Sequence, residues 1–257
     1  MKTEIEGPGI DYERYALGKC LERIARKYNV KTVLEIPAWG SKVMPSLYSL
    51  GFGQAGCSVT LANADKKAIT AWRELGFKAK FADVADICKT QFEDNSFDFV
   101  WDFTFLPKAE DKNKKLAEMV RISKKYVAVF CVNGYNPGFM SHRLAHKFHK
   151  IPWTHGEPGL HFLKNLRAMF LRNNLKITEV GVVNTPPWPD SIGFRDIKIH
   201  KMNFSGEINW HSETLNYIKN SNTPDWIKKI HKFESLPIPL AIKLIYAHIY
   251  YVIGEKL

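Results

Sequence analysis

The sequence predicts an α/β fold, a doubly wound and mostly parallel sheet. Three observations carry that expectation. Short β-rich runs alternate with helical runs at the spacing of βαβ units over the first 132 residues. The runs end in acids and amides, the groups that meet ligands at the carboxyl ends of strands in open sheets. A hydrophobic share of 45% in 257 residues supplies a sizeable core and excludes a disordered or collagen-like chain.

Residues 11–28 (DYERYALGKCLERIARKY) place Tyr15, Leu21, Ile24 and Ala25 among charges, the pattern of an amphipathic helix. Residues 31–36 (KTVLEI) form a first strand, stopped by Pro37-Ala38-Trp39-Gly40. Residues 58–62 (SVTLA) form a second, and 66–76 a helix with a glycine stop. Residues 78–82 (KAKFA) and 97–102 (FDFVWD) are the third and fourth strands. Residues 113–123 read as a helix and 126–132 (YVAVFCV) as a fully buried fifth strand. The rhythm then breaks into an irregular, basic, His-rich insertion at 134–158. Residues 159–175 are helical, with Leu160, Leu163, Leu166 and Phe170 toward one face. Residues 176–183 and 194–200 read as two strands joined by TPPWPDSIG, an antiparallel hairpin at the sheet edge. Residues 203–257 form a C-terminal extension with an apolar run, LPIPLAIKLIYAHIYYVI (236–253). That run is too short to span a bilayer. It suits a core or dimer helix, or one lying at a membrane interface.

Lys and Arg total 37 against 26 acids, a net charge of +11. Residues 134–178 hold seven of those cations, one acid and five of the nine histidines, so more than half of the excess lies in one segment. The four cysteines lie more than thirty residues apart without CxxC spacing, which indicates neither a disulfide scaffold nor a cysteine zinc site. The N-terminal MKTEIEGPG has no apolar h-region. Reduced thiols and a cytoplasmic location are the expectation, with peripheral membrane association through the C-terminal helix as an addition. No RNA-binding module or aromatic-basic platform is present, so a nucleic-acid partner is disfavoured.

The expected strand ends carry Glu35, then Asn63-Ala64-Asp65, then Asp83, then Asp102-Phe103. Acids and amides there can accept hydrogen bonds from a ribose and an adenine amino group. No GxGxxG follows the first strand and no Walker A motif occurs, which disfavours dinucleotides and nucleotide hydrolysis.

These residues bring out a family resemblance. The chain resembles the class I S-adenosylmethionine-dependent methyltransferases of the small-molecule type found in quinone biosynthesis. VLEIPAWG (33–40) resembles the family's first motif, VTLANADKKAI (59–69) its second and FADVADI (81–87) its third. DNSFDFVW (94–101) resembles the segment entering the fourth strand, and EMVRISKKYVAVFCVN (118–133) the helix and strand beyond it. The resemblance covers about residues 12–201. It implies a Rossmann-like, seven-stranded sheet with an antiparallel last strand, in a methyltransferase domain over 1–202 followed by a helical extension over 203–257. It implies S-adenosyl-L-methionine as cofactor, held by Glu35, Pro37, Ala38, Gly40, Asn63, Ala64, Asp65, Asp83, Val84, Asp102 and Phe103. The chain departs from the pattern twice. Pro37 or Ala38 stands where the motif has its earlier glycine, and Asn63 stands where an acid normally meets the ribose.

Methyl transfer from a sulfonium is an in-line displacement, so positioning supplies much of the acceleration, and a base is needed where the nucleophile must lose a proton. The candidates lie after the fifth strand, where this family builds its acceptor pocket. His142 and His146 at i, i+4, with His149 at i+7, can share a helix face. His155, Glu157 and Tyr135 are alternatives. No carboxylate completes a metal set with them, so no metal is expected. Arg143, Lys147 and Trp153 are the substrate-binding candidates, suited to an anionic or amphiphilic, lipid-like small molecule. The runner-up functions are a non-catalytic scaffold on the same fold and an RNA methyltransferase.

Overall fold

The computed structural model of the chain describes residues 2–40, 44–186 and 208–257. Helix α1 (Pro8–Lys27) opens with Pro8 at its first turn, where a missing N–H costs nothing. Strand β2 (Thr32–Glu35) follows, then the short α2 (Leu50–Gln54), β3 (Ser58–Ala62), α3 (Lys66–Leu75) and β4 (Ala79–Ala82). Asp65 caps α3, accepting from the Ala68 N–H, and Gly76 closes it in the left-handed conformation. Strand β5 (Phe97–Phe103), α4 (Lys112–Ile122) and β6 (Ser123–Val132) complete the expected βαβ series.

The seven-stranded sheet runs β4-β3-β2-β5-β6-β9-β7. The pairs among β2 to β6 are parallel, while β9 (Ile249–Lys256) is antiparallel to both β6 and β7 (Leu175–Val183). Alternate residues of the buried strands feed two cores. Val33, Leu61, Phe99, Trp101, Phe130 and Tyr251 pack with α1, α2 and α3. Leu34, Val100, Val127, Val129, Tyr250 and Val252 pack with α4 and with α6 (Leu163–Arg172) on the other face. Leu160, Leu163, Leu166 and Phe170 are all buried there, as their spacing predicts.

The expected strand at 194–200 lies outside the described residues; among those described, β9 from the far end of the chain pairs antiparallel with β7. One expectation is corrected: 236–253 is not one helix. It divides into α9 (Leu240–Tyr246) and strand β9, which sits between β6 and β7 with Ile249 to Gly254 buried. A boundary at residue 202 therefore separates no second unit, because the sheet needs the C-terminal strand. The rest of that region is helical, with α7 (Glu213–Lys219) and α8 (Asp225–Glu234) against the α1 face. Strand β1 (Lys2–Ile5) pairs in parallel with β8 (Ile208–His211) in a separate two-stranded sheet. The insertion at 134–158 also holds more order than expected. Asn136 caps a twelve-residue helix, α5 (Pro137–Phe148).

Candidate functional site

Both halves of the candidate site lie at the carboxyl ends of β2 to β6. On the cofactor side, the carbonyl ends of β3 and β5 hold the loop after β2. The Ile36 N–H donates to the Trp101 carbonyl and the Ala38 N–H to the Ala62 carbonyl. Pro37 and Ala38, within that loop, are buried. Gly40 is needed for close approach, since a Cβ there would lie 2.0 Å from the Met44 carbonyl oxygen. Trp39 is 42% exposed and meets Phe105 edge-on at 5.5 Å.

Most of the polar groups named from sequence already serve the fold. Glu35 is fully buried and accepts from the Ser46 and Ser49 hydroxyls at 2.5 and 2.6 Å. Burial pushes its carboxyl up to about 7, although the two hydroxyls pull the other way. Asn63 donates to the Val84 carbonyl at 2.9 Å and accepts from the Val84 N–H at 2.7 Å, clasping β3 to the loop after β4. Asp102 is fully buried, pairs with the buried Lys115 ammonium, and accepts from the Phe105 and Leu106 N–H groups. Ala64 is half-buried beside Asn63, and Phe103 stacks on Tyr48 at 4.1 Å.

Asp83 is different. It lies exposed at the end of β4, beside the buried Val84. An exposed carboxylate next to an apolar side chain suits an adenine, with its amino group on the acid and its ring against Val84. The donor set thus fits an adenosine at the base end. At the ribose, Asn63 offers no carboxylate, and Asp65 is engaged as the α3 cap.

On the acceptor side, α5 and the loop after it bring imidazoles together. Ligand-competent atoms of His142, His146 and His155 all lie within 4.8 Å of one another. His142 and His146 approach through their Nε2 atoms at 3.0 Å. His146 Nδ1 faces the Pro152 carbonyl at 3.0 Å and the Ile151 carbonyl at 3.3 Å. A carbonyl only accepts, so Nδ1 carries a proton, and in the neutral ring Nε2 then holds the lone pair. Trp153 walls the cluster, its ring 4.7 Å from His155, 5.3 Å from His146 and 5.7 Å from His142. Its indole N–H is held by the Gly156 carbonyl, and the Arg143 guanidinium lies over its face. Lys147 is exposed on the same helix. His161 is buried behind, between the Val132 and His155 carbonyls, and burial lowers its pKa.

The loop carrying His155 is docked onto the end of β5. Gly156 adopts a left-handed φ of 79°, and a Cβ there would lie 2.2 Å from the Pro107 carbonyl oxygen, to which the Glu157 N–H donates. His149, expected on the same helix face, is instead the exposed C-terminal cap of α5, and His155 takes the third place. Tyr135 is 41% exposed and packs edge-on against Phe162. Sequence reasoning did not single out Gly156 or the enclosing role of Trp153, and no periodicity marks either.

Residues 43–131 match the family model described as a methyltransferase domain. No match was found among curated proteins. Among solved structures, the YcgJ protein of Bacillus subtilis is 15% identical, with a TM-score of 0.54 over 94% of this chain and 98% of that one. A putative sarcosine dimethylglycine methyltransferase from Galdieria sulphuraria is 14% identical, with a TM-score of 0.54 over 93% and 84% of the two chains. A Haemonchus contortus phosphoethanolamine N-methyltransferase, solved with phosphomonomethylethanolamine and S-adenosylhomocysteine, is 15% identical, with a TM-score of 0.51 over 93% and 52%. The chain thus carries a methyltransferase domain over residues 43–131, within a Rossmann-like seven-stranded sheet whose fold it shares with S-adenosylmethionine-dependent methyltransferases. Such domains take their methyl group from the sulfonium of S-adenosylmethionine, and the exposed Asp83 carboxylate beside buried Val84 has the chemistry an adenine requires.

Proposed function

We propose that this methyltransferase acts on a small anionic or amphiphilic acceptor bound between the strand ends and α5. The observation that carries this reading is the imidazole cluster, walled by Trp153 and flanked by Arg143 and Lys147, on a loop docked at Pro107. Arg143 and Lys147 attract a carboxylate or phosphate, and Trp153 offers an apolar face. The imidazoles handle the proton or the negative charge of the attacking group. A phosphorylated amine, as named for the Haemonchus neighbour, is one acceptor of this kind.

The acceptor arrives from a membrane surface. Met140, Leu144 and Phe148 form an exposed apolar stripe on α5, with Arg143, Lys147 and Lys150 interleaved. Asn136, at the start of α5, bonds to the Tyr246 and Ala247 carbonyls at the end of α9, where Ile242, Ile245 and Tyr246 are also exposed. Apolar and cationic groups on one surface suit anionic lipid. Among the described residues no helix is long and apolar enough to cross a membrane. Binding to anionic vesicles, lost in Leu144→Glu with Phe148→Glu, supports the surface. Dimerisation without vesicle binding assigns the stripe to a second copy instead.

The second reading, a non-catalytic scaffold, is favoured by the commitment of Asn63 to Val84. The two readings part on turnover. S-adenosylhomocysteine formation from S-adenosylmethionine, with a panel of phosphate- and carboxylate-bearing amphiphiles, is expected and should fall in Arg143→Ala with Lys147→Ala. No product from any acceptor would overturn the enzyme reading.

A further inference from the structure

We propose that His142, His146 and His155 form a binding site for zinc or a similar first-row divalent metal, with its fourth position open to an anionic oxygen. Two of the imidazoles come from one face of α5 and the third from the loop after it. Their facing nitrogens are of the right type, since imidazole suits zinc and its neighbours while magnesium and calcium require oxygen donors. At a Zn–N distance near 2.1 Å, tetrahedral ligand nitrogens stand roughly 3.4 Å apart. The His142 and His146 Nε2 atoms stand at 3.0 Å, and no two of the three ligand atoms are farther apart than 4.8 Å. Adjusting the ring torsions of the half-buried His142 and His155 closes that gap.

The shell behind the ligands points the same way. The Pro152 carbonyl holds a proton of His146 on Nδ1, which leaves Nε2 facing the His142 Nε2. Backbone carbonyls hold ligating histidines in this manner in metal sites. Trp153 packs against all three rings and gathers them on one side of its indole. The loop geometry at Gly156 brings His155 within reach.

Three neutral imidazoles leave a bound dication uncompensated, beside Arg143 and Lys147. An anionic fourth ligand relieves that charge, and a tetrahedral metal with three protein ligands keeps such a position. This gives the acceptor's oxygen a place next to the strand ends. That last role rests on the methyltransferase reading, whereas the metal site does not.

The test uses untagged full-length protein, stripped with chelator and titrated with zinc in competition with a chromophoric chelator, without S-adenosylmethionine. Uptake of about one equivalent is expected, with affinity reduced at least about 100-fold in His142→Ala and in His155→Ala. His149→Ala should bind like the parent. Cobalt substitution of the parent gives a readout independent of variant folding, and should produce the intense visible bands of four-coordinate Co2+. No zinc uptake, a six-coordinate cobalt spectrum, or unchanged affinity in a folded His155→Ala protein would overturn the site. Binding of S-adenosylhomocysteine, measured separately, shows whether the methyltransferase reading fails with it or stands without it.

Discussion

On the cofactor side of the strand ends, Glu35, Asn63, Asp65 and Asp102 are each bonded into the fold: two serine hydroxyls, the Val84 backbone, the α3 N-terminus and the Lys115 ammonium are their partners. On the acceptor side, His142, His146 and His155 converge on one another at a half-buried surface, with Arg143 and Lys147 outward. The strand ends thus carry acids bonded into the fold on one side and imidazoles grouped with one another on the other. A polar residue at a strand end is therefore no ligand contact until its hydrogen bonds are counted.

The largest contrast is expected from removing one cation on each side. Lys115→Met leaves Asp102 buried without its ion pair and should cost about 3–5 kcal/mol in denaturant unfolding, or prevent folding. Arg143→Met removes an exposed charge and should cost less than about 0.5 kcal/mol. Equal costs would break the distinction.

Next is the pH dependence of Glu35. Its folded-state value, about 7, lies above the usual carboxyl value of 4.5. Its contribution to stability is therefore full below about pH 4.5 and is lost as pH rises through about 7. Glu35→Gln should remove a slope worth about 3 kcal/mol between pH 4.5 and 8, seen as a smaller fall in unfolding midpoint than in the parent.

Asn63→Asp restores the family's acid but discards the amide that donates to the Val84 carbonyl. It should cost about 1–3 kcal/mol and give no gain in cofactor affinity. Tighter binding without loss of stability would mean that Asn63 belongs to the ribose site and is no clasp.

A smaller loss of stability than at Asn63 is expected at Gly156. A methyl group there meets the Pro107 carbonyl at a left-handed φ, so Gly156→Ala should cost about 1–2 kcal/mol. It should also weaken zinc binding by displacing His155. Retained zinc affinity would show that the loop is held by other contacts.

Much of the fold is legible in the sequence, because the parallel strands are local apolar runs bounded by turn residues. SVTLA is read at the bounds of β3, and the Asp65 cap and Gly76 stop delimit α3. Strand β9 is not legible. IYYVI follows LPIPLAIKLIY without a break in apolar character, and a fully buried strand has no alternation to separate it from a helix. Its pairing with β6 also spans more than a hundred residues. In the site, His142 and His146 are visible through helical spacing. His155 is not, because the turn at Gly156 and its seat on Pro107 are tertiary facts. Asn63 is visible as a departure from the family, but its clasp on Val84 has no sequence signature.

The most direct measurement is a calorimetric titration of S-adenosylhomocysteine into the parent protein and into Asp83→Ala, whose exposed position spares the core. Saturable binding at a single site, weakened roughly tenfold or more in the variant, is the expected result, since a tenfold loss is about 1.4 kcal/mol and matches one hydrogen bond to a charged group. No heat of binding at millimolar ligand, or equal affinity in the two proteins, would contradict the placement of the adenosine at Asp83 and Val84.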